Sequence, residues 1–195
     1  MSNTPTLKTK RLLLRRFSIA DIKSYFHIMS DDTVNEFLPW FPLKDLEEAR
    51  SDLQERFLNS YDVPKGFKYA ICLQSDNIPI GYVNVSSDDS FDFGYGLSKG
   101  FWHKGIVTEA CRAVTEQLKK SNIPFITATH DVNNPRSGRV MSNIGMTYRY
   151  SYKELWQPKN IWVTFRMYQL NFDKNDSTYR KYWETHPKHF VEENL

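Results

Sequence analysis

The sequence predicts an α/β or α+β domain built around one central sheet. Three observations carry this. Apolar runs of strand length alternate with stretches whose apolar residues recur at helical spacing. Turn residues punctuate the boundaries, and a strand–helix–strand unit from Phe91 to His130 calls for a parallel strand pair. The resulting order, β-α-α-β-β-β-α-β-α-β-β, contains no repeat and no linker long enough to divide the chain.

Each element has a local reason. "RLLLRRF" (Arg11 to Phe17) reads as a first strand, and Ser18 with Asp21 resembles a capped start for a helix carrying Ile19, Ile22, Phe26 and Met29. Pro39 and Pro42 break "EFLPWFP" into a loop. A second helix follows, with Leu46, Ala49, Leu53 and Phe57 on one face. "FKYAICLQ" and "IPIGYVNVS" flank the turn signature "SDN" and form a hairpin. "FDFGYGLS" is the next strand. The helix "GIVTEACRAVTEQLKK" turns Ile106, Val107, Ala110, Cys111, Val114 and Leu118 inward. "IPFITATH" is a strand, "NPRSGRVMSNIG" a short helix ended by Gly145, and "MTYRYSYKELW" with "IWVTFRMYQLNF" a closing hairpin. The tail "DSTYRKYWETHPKHFVEENL" is helix-prone and aromatic-rich.

Composition narrows the class. At 195 residues the chain buries a sizeable core as one domain, or one domain with an added tail. Its net charge of +3 comes from scattered basic residues, which argues against nucleic-acid binding by bulk electrostatics. No run reaches the roughly 18 apolar residues of a membrane span. Leu12 to Leu14 is too short for a signal-peptide core. Cys72 and Cys111 lack close partner cysteines, so they read as reduced core residues of a cytoplasmic protein.

Three pieces carry chemistry. In "FDFGYGLS", alternation sets Phe91, Phe93, Tyr95 and Leu97 on one face, and Asp92, Gly94, Gly96 and Ser98 on the other. The two bare glycines admit a ligand, or they accommodate a bulge or a tightly packed helix. Next, "KGFWHKGIVTEA" joins this strand to a helix whose N-terminus has free N–H groups suited to an anion. Gly105 removes a side chain there, Lys104 adds charge and Thr108 a hydroxyl, although a single glycine at a strand–helix turn also serves as a plain turn. In "HDVNNPRSGRVMSNIGM", Asn134 stands at a helix start, where it suits an N-cap, and Ser137 lies three residues in.

In this order the three pieces resemble the GNAT superfamily of acyl-CoA-dependent N-acetyltransferases. The nearest branch is that of the ribosomal-protein N-terminal acetyltransferases RimJ and RimL. "LKTKRLLLRRFSIAD" looks like that branch's opening strand and helix, and "LPWFPLKDLEEA" like its substrate-side loop. The resemblance implies a mixed central sheet of about seven strands flanked by helices over residues 1–172, followed by a C-terminal helical extension over 173–195. It also implies acetyl transfer from acetyl-CoA straight to a primary amine, either a protein N-terminus or a small amine, with no metal.

The site residues follow from the same resemblance. The family's pyrophosphate loop, Q/R-x-x-G-x-G/A, falls on Trp102 to Val107. Gly105 is kept, whereas Trp102 and Val107 depart from the pattern. His103, Lys104, Gly105, Ile106, Val107 and Thr108 would then cradle the diphosphate. A backbone N–H in Tyr95, Gly96 or Leu97 would polarise the thioester, and Asn134 would touch the cofactor. Asp92 is the first candidate base and His130 the second. Ser137 is the candidate acid, because Met141 stands where many members have a tyrosine. Glu36, Trp40 and Phe41 fall in the acceptor loop. The tail is expected to dock on its own domain; the other arrangements are joining two subunits into a homodimer and covering the acceptor cleft. The competing reading is a non-catalytic acyl-CoA-binding or protein-interaction domain of the same fold.

Overall fold

The structure, a computed structural model, describes residues 3–63, 66–173, 175–193 and 195. The chain opens with β1 (Leu7–Lys8) and β2 (Leu12–Arg15). A single 3-10 turn leads into α1 (Ile22–Met29). Asp21 fixes that entry: its carboxylate accepts the Ser18 N–H at 2.8 Å and pairs with Arg15 at 2.8 Å. α2 (Leu46–Arg56) is capped by Asp45, which accepts the N–H groups of Glu47 and Glu48, both at 2.9 Å. Ala49, Leu53 and Phe57 face inward as the periodicity predicts, but Leu46, in the first turn of α2, is exposed.

The predicted hairpin is β3 (Phe67–Leu73) and β4 (Pro79–Val85), followed by β5 (Phe93–Leu97). α3 (Ile106–Leu118) buries Ile106, Ala110, Cys111, Val114 and Leu118. Each large apolar side chain among them contributes about 1.5–3 kcal/mol. Then come β6 (Phe125–Asp131), α4 (Pro135–Asn143), β7 (Thr147–Trp156) and β8 (Ile161–Asn171). Gly145 ends the α4 region at φ +92°, a left-handed conformation that a side chain resists. In the tail, helix is confined to α5 (Lys181–Thr185), and β9 (His189–Phe190) pairs antiparallel with β7.

The strands divide into two sheets where the sequence suggests one. β1 to β5 form an antiparallel sheet in chain order, and the second runs β6-β8-β7-β9. The expected parallel pairing of β5 with β6 is reduced to a single bridge between Asp92 and Thr127. Next to it the Thr127 hydroxyl donates to the Ser90 carbonyl at 2.9 Å. Beyond the bridge the strands diverge, and the side chains of Phe93, Tyr95 and His130 and the helix α4 occupy the wedge between them.

Three apolar clusters hold this shape. α3 packs against Leu12, Leu14, Ile71, Val83 and Leu97 on one face of the first sheet. α1 and α2 pack on the opposite face against Ala70, Cys72 and Tyr82. Tyr150, Tyr152, Phe165 and Met167 form a third cluster on which Tyr182 and Trp183 of the tail rest. The tail thus docks on its own domain. Cys72 and Cys111 are buried and unbridged, and burial pushes the Cys72 thiol up to about 11.

Candidate active site

The turn after β5 curls twice through left-handed backbone, at His103 (φ +59°) and at Gly105 (φ +69°), before α3 begins. Such alternation turns successive N–H groups toward one point and makes an anion-binding concavity at a helix N-terminus. For His103 the conformation costs on the order of 1–3 kcal/mol, so surrounding contacts must enforce it. Those contacts are present. The Trp102 indole N–H donates to the Leu97 carbonyl at 2.7 Å. Arg11 donates from Nη1 to the Lys104 carbonyl at 2.8 Å and from Nε to Glu109 at 2.7 Å. Thr9 holds the other Glu109 oxygen at 2.6 Å.

A groove of about 560 Å³ runs from this turn along β5 to α4. Of the residues predicted to hold the cofactor, Tyr95, Gly96, Leu97, His103, Gly105, Ile106, Val107, Thr108 and Asn134 line it. Lys104 does not line it, because its ammonium folds back onto the Gly100 carbonyl at 2.9 Å. Two cations fill that gap, Arg136 and Arg139 of α4. Arg136 lies over the Trp102 ring at 4.7 Å. Their i, i+3 spacing puts them on one helix face, a signal the sequence offers. Asn134 occupies the N-cap position of α4 without making a capping hydrogen bond, which leaves its amide facing the groove. These residues fit a diphosphate-bearing ligand.

The bare face of β5 has another explanation than an open approach. A Cβ on Gly96 would meet the Tyr82 ring at 2.5 Å, and one on Gly94 would meet Asn84 at 2.9 Å. The glycines make room for cross-strand side chains of β4. The strand alternation also stops short of Phe91, whose φ of +46° is rare for a bulky residue. That kink delivers Asp92 to a second cavity of about 390 Å³.

Asp92 is half-buried there, among Tyr82, Phe93 and Phe165. Desolvation and the neighbouring Asp88 carboxylate push its pKa up to about 7. His130 lines the same cavity, but its Nδ1 is 2.8 Å from the Asp131 carbonyl, which fixes the proton on that nitrogen. Its Nε2 is buried with no hydrogen-bond partner among the described residues and lies only 2.6 Å from where a Cβ on Gly138 would sit. Burial lowers its pKa, so the ring is neutral and wedged against α4. Ser137 lies where the two cavities meet. Its Oγ is 2.9 Å from the Tyr95 hydroxyl, which also donates to the Ser137 carbonyl at 2.8 Å. Burial raises the Tyr95 pKa far above its ordinary value and keeps the phenol protonated.

On the acceptor side, Trp40 lines the second cavity, with its ring over Arg56 at 3.7 Å and its N–H donating to Asn35 at 3.2 Å. Phe41 and Glu36 do not line it. Phe41 points to solvent at 57% exposure, and Glu36 takes part through its backbone carbonyl, which accepts from Lys159 at 3.0 Å. Phe37, Leu38 and Pro39 of the same loop line the cavity in their place, because its irregular backbone follows no period that a sequence can reveal. Trp156 and Phe165 of the closing hairpin complete the wall.

Two cavities share Tyr95, Gly96, Asn134 and Ser137; one ends at the left-handed turn before α3 and the other at the Asp92 carboxylate. The family model described as the acetyltransferase (GNAT) domain matches residues 11–147, and this chain belongs to that family. It is an acetyl-CoA-dependent acyltransferase by class. Among curated proteins it is similar to the uncharacterized N-acetyltransferase YnaD of Bacillus subtilis, 27% identical over 80% of this chain and 91% of the relative. Among solved structures it resembles a GNAT-family acetyltransferase from Bacillus anthracis, with TM-score 0.75 and 23% identity over 86% of this chain and 99% of the other. It also resembles RimL, a ribosomal L7/L12 alpha-N-protein acetyltransferase solved with coenzyme A, with TM-score 0.77 and 18% identity over 88% of this chain and all of the other. No helix among the described residues is long and apolar enough to cross a membrane.

Proposed function

We propose that this chain acetylates a primary amine by direct transfer from acetyl-CoA, in the cytoplasm. The observation that carries the proposal is the junction of the two cavities, where the glycine strand, Ser137 and Asn134 are common to both. The cofactor would be held by His103, Gly105 to Thr108, Asn134, Arg136 and Arg139, and it would supply the acetyl group. An amine entering beside Trp40 meets Asp92, which takes its proton directly or through one water. A carboxylate with a pKa near 7 suits this task at neutral pH far better than an ordinary aspartate near 3.8. The backbone N–H groups of Tyr95 and Leu97, which alternate away from the β4 ladder, are available to developing negative charge. Ser137, whose Oγ is hydrogen-bonded to the Tyr95 hydroxyl, would give its proton to the departing thiolate and regain one from solvent. His130, neutral and turned onto Gly138, acts as packing beneath this arrangement.

The test is thiol release from acetyl-CoA with a panel of amines that includes N-terminal peptides. Release that depends on the amine, and that falls in Asp92→Asn and Ser137→Ala with CoA binding intact, is the expected result. CoA binding by calorimetry without turnover on any amine would instead identify a binding domain.

A further inference from the structure

We propose that the acceptor amine carries an anionic group, a carboxylate or a phosphate, at its far end, received by Arg56 and Lys68. The proposal rests on the second cavity being the acceptor site.

That cavity is bipolar. Asp92 lies at one end, and Arg56 and Lys68 line the other. The Arg56 guanidinium is held in place by its stack on Trp40 at 3.7 Å and by an Nε bond to Asp52 at 2.6 Å. Among the described residues its Nη1 and Nη2 make no hydrogen bond, so a two-pronged donor edge is preorganised and unspent. The Lys68 ammonium donates to the Arg56 carbonyl, which ties the two cations together and leaves its remaining N–H groups available. Among the described residues Asp52 is the one carboxylate paired with them, and it is also bonded by the Tyr25 hydroxyl. Two cations facing one carboxylate leave a positive charge uncompensated beside Phe57 and Tyr82.

Strand register gives the span. Lys68 pairs with Asn84, and Asn84 with Gly94, so the three stand in one row across β3, β4 and β5 on the same face. Neighbouring strands are about 4.8 Å apart, which sets the Lys68 backbone roughly 10 Å from Gly94. Asp92 is two residues further along that face. An acceptor with its amine at Asp92 and an anion several bonds away satisfies both ends. A diamine or polyamine would bring its second cation against Arg56 and Lys68, and like charges in a partly desolvated site are rejected.

The test uses the whole 195-residue chain, with CoA bound for the binding measurements and with acetyl-CoA for the transfer measurements, and three series of stepped chain length: ω-amino carboxylates, aminoalkyl phosphates and α,ω-diamines. Binding is read by calorimetry and acetyl transfer by thiol release. One anionic series is expected to bind about tenfold or more tightly than the diamines, with an optimum length. Whichever anionic series prevails identifies the source of the charge. In Arg56→Gln and, separately, in Lys68→Met, the preference should fall while CoA affinity holds, and Arg56→Lys should recover part of it. Diamines binding as well as the anionic series, or a preference unchanged in both variants, overturns the proposal. If the preference is present but no amine is acetylated, the anion end stands and the acetyl-transfer reading falls.

Discussion

Asp92 concentrates two properties in one side chain, and they oppose each other. Its folded pKa of about 7 lies above the ordinary value of 3.8, so the native state holds a proton that the unfolded chain releases. Stability from this group is therefore complete below about pH 3.8 and is lost as the pH rises through 7. Asp92→Asn should raise the melting temperature at pH 8, with the gain closing toward pH 4, while kcat/KM falls by roughly 10²- to 10⁴-fold. The wild-type rate should rise with pH with a midpoint near 7, and that limb should vanish in the variant. Thermal melts and pH–rate profiles check both halves, and a variant that keeps the limb would remove Asp92 as the base. Gly105 offers a second contrast. Alanine at φ +69° is strained by about 1–2 kcal/mol, whereas a Cβ on Gly100 meets nothing within 4 Å. Gly105→Ala should weaken CoA binding measured by calorimetry, and Gly100→Ala should leave it unchanged.

Among the elements, the connection between β1 and β2 acts on the turn before α3 from a distance of about 100 residues in sequence, through Arg11, which Glu109 of α3 holds in place. These are positioning residues: they hold the Lys104 carbonyl so that the N–H groups of the turn face the groove. Arg11→Ala is expected to raise the KM for acetyl-CoA roughly three- to tenfold with kcat nearly unchanged, in line with the loss of one or two charge-assisted bonds. An unchanged KM would show that the turn holds its shape alone. The elements themselves were readable, because proline, glycine and "SDN" mark their ends and α3 repeats its apolar residues at a clear period. The turn at Gly105 was readable for the same reason, since it lies between a strand and a helix, whereas its reading as a diphosphate cradle came from the family resemblance. The divergence of β5 from β6 was not, for it involves contacts such as Tyr95 with Ser137 of α4, 42 residues apart in sequence. Nor was the filling of the Gly94 and Gly96 face by Asn84 and Tyr82, which only strand register reveals. Glu36 and Phe41 failed as lining residues because a loop without a period hides which side chains turn inward.

Across the molecule, the tail is part of the second sheet. β9 covers an edge of β7, and Arg166 bonds both carboxylate oxygens of Glu192, at 2.9 Å from Nε and 2.6 Å from Nη2. Tyr152 stacks on Tyr182, with ring centres 5.4 Å apart. Arg166 holds the Glu192 carboxyl below its ordinary 4.5, so the pair is complete at neutral pH and fails as the pH falls through the folded value. Glu192→Gln should cost roughly 1–2 kcal/mol, or about 2–8 °C in a chain of this size, and the loss should shrink in acid. Truncation after Phe172 should do more: it uncovers β7 and the Tyr150–Tyr152 cluster, and light scattering should report association through the bared edge.

The order β6-β8-β7-β9 has a kinetic consequence. β6 precedes β8 by some 30 residues, yet β8 is its neighbour in the sheet, so β6 stays unpaired until the β7–β8 hairpin exists to receive it. The hairpin closes locally and early, whereas its docking on β6 must overcome a longer loop closure. Pulse-labelled hydrogen exchange during refolding should protect the amides of β7 and the β7-facing amides of β8 before those of β6. The wall bearing Thr129 and His130 would then be among the last parts of the second cavity to form.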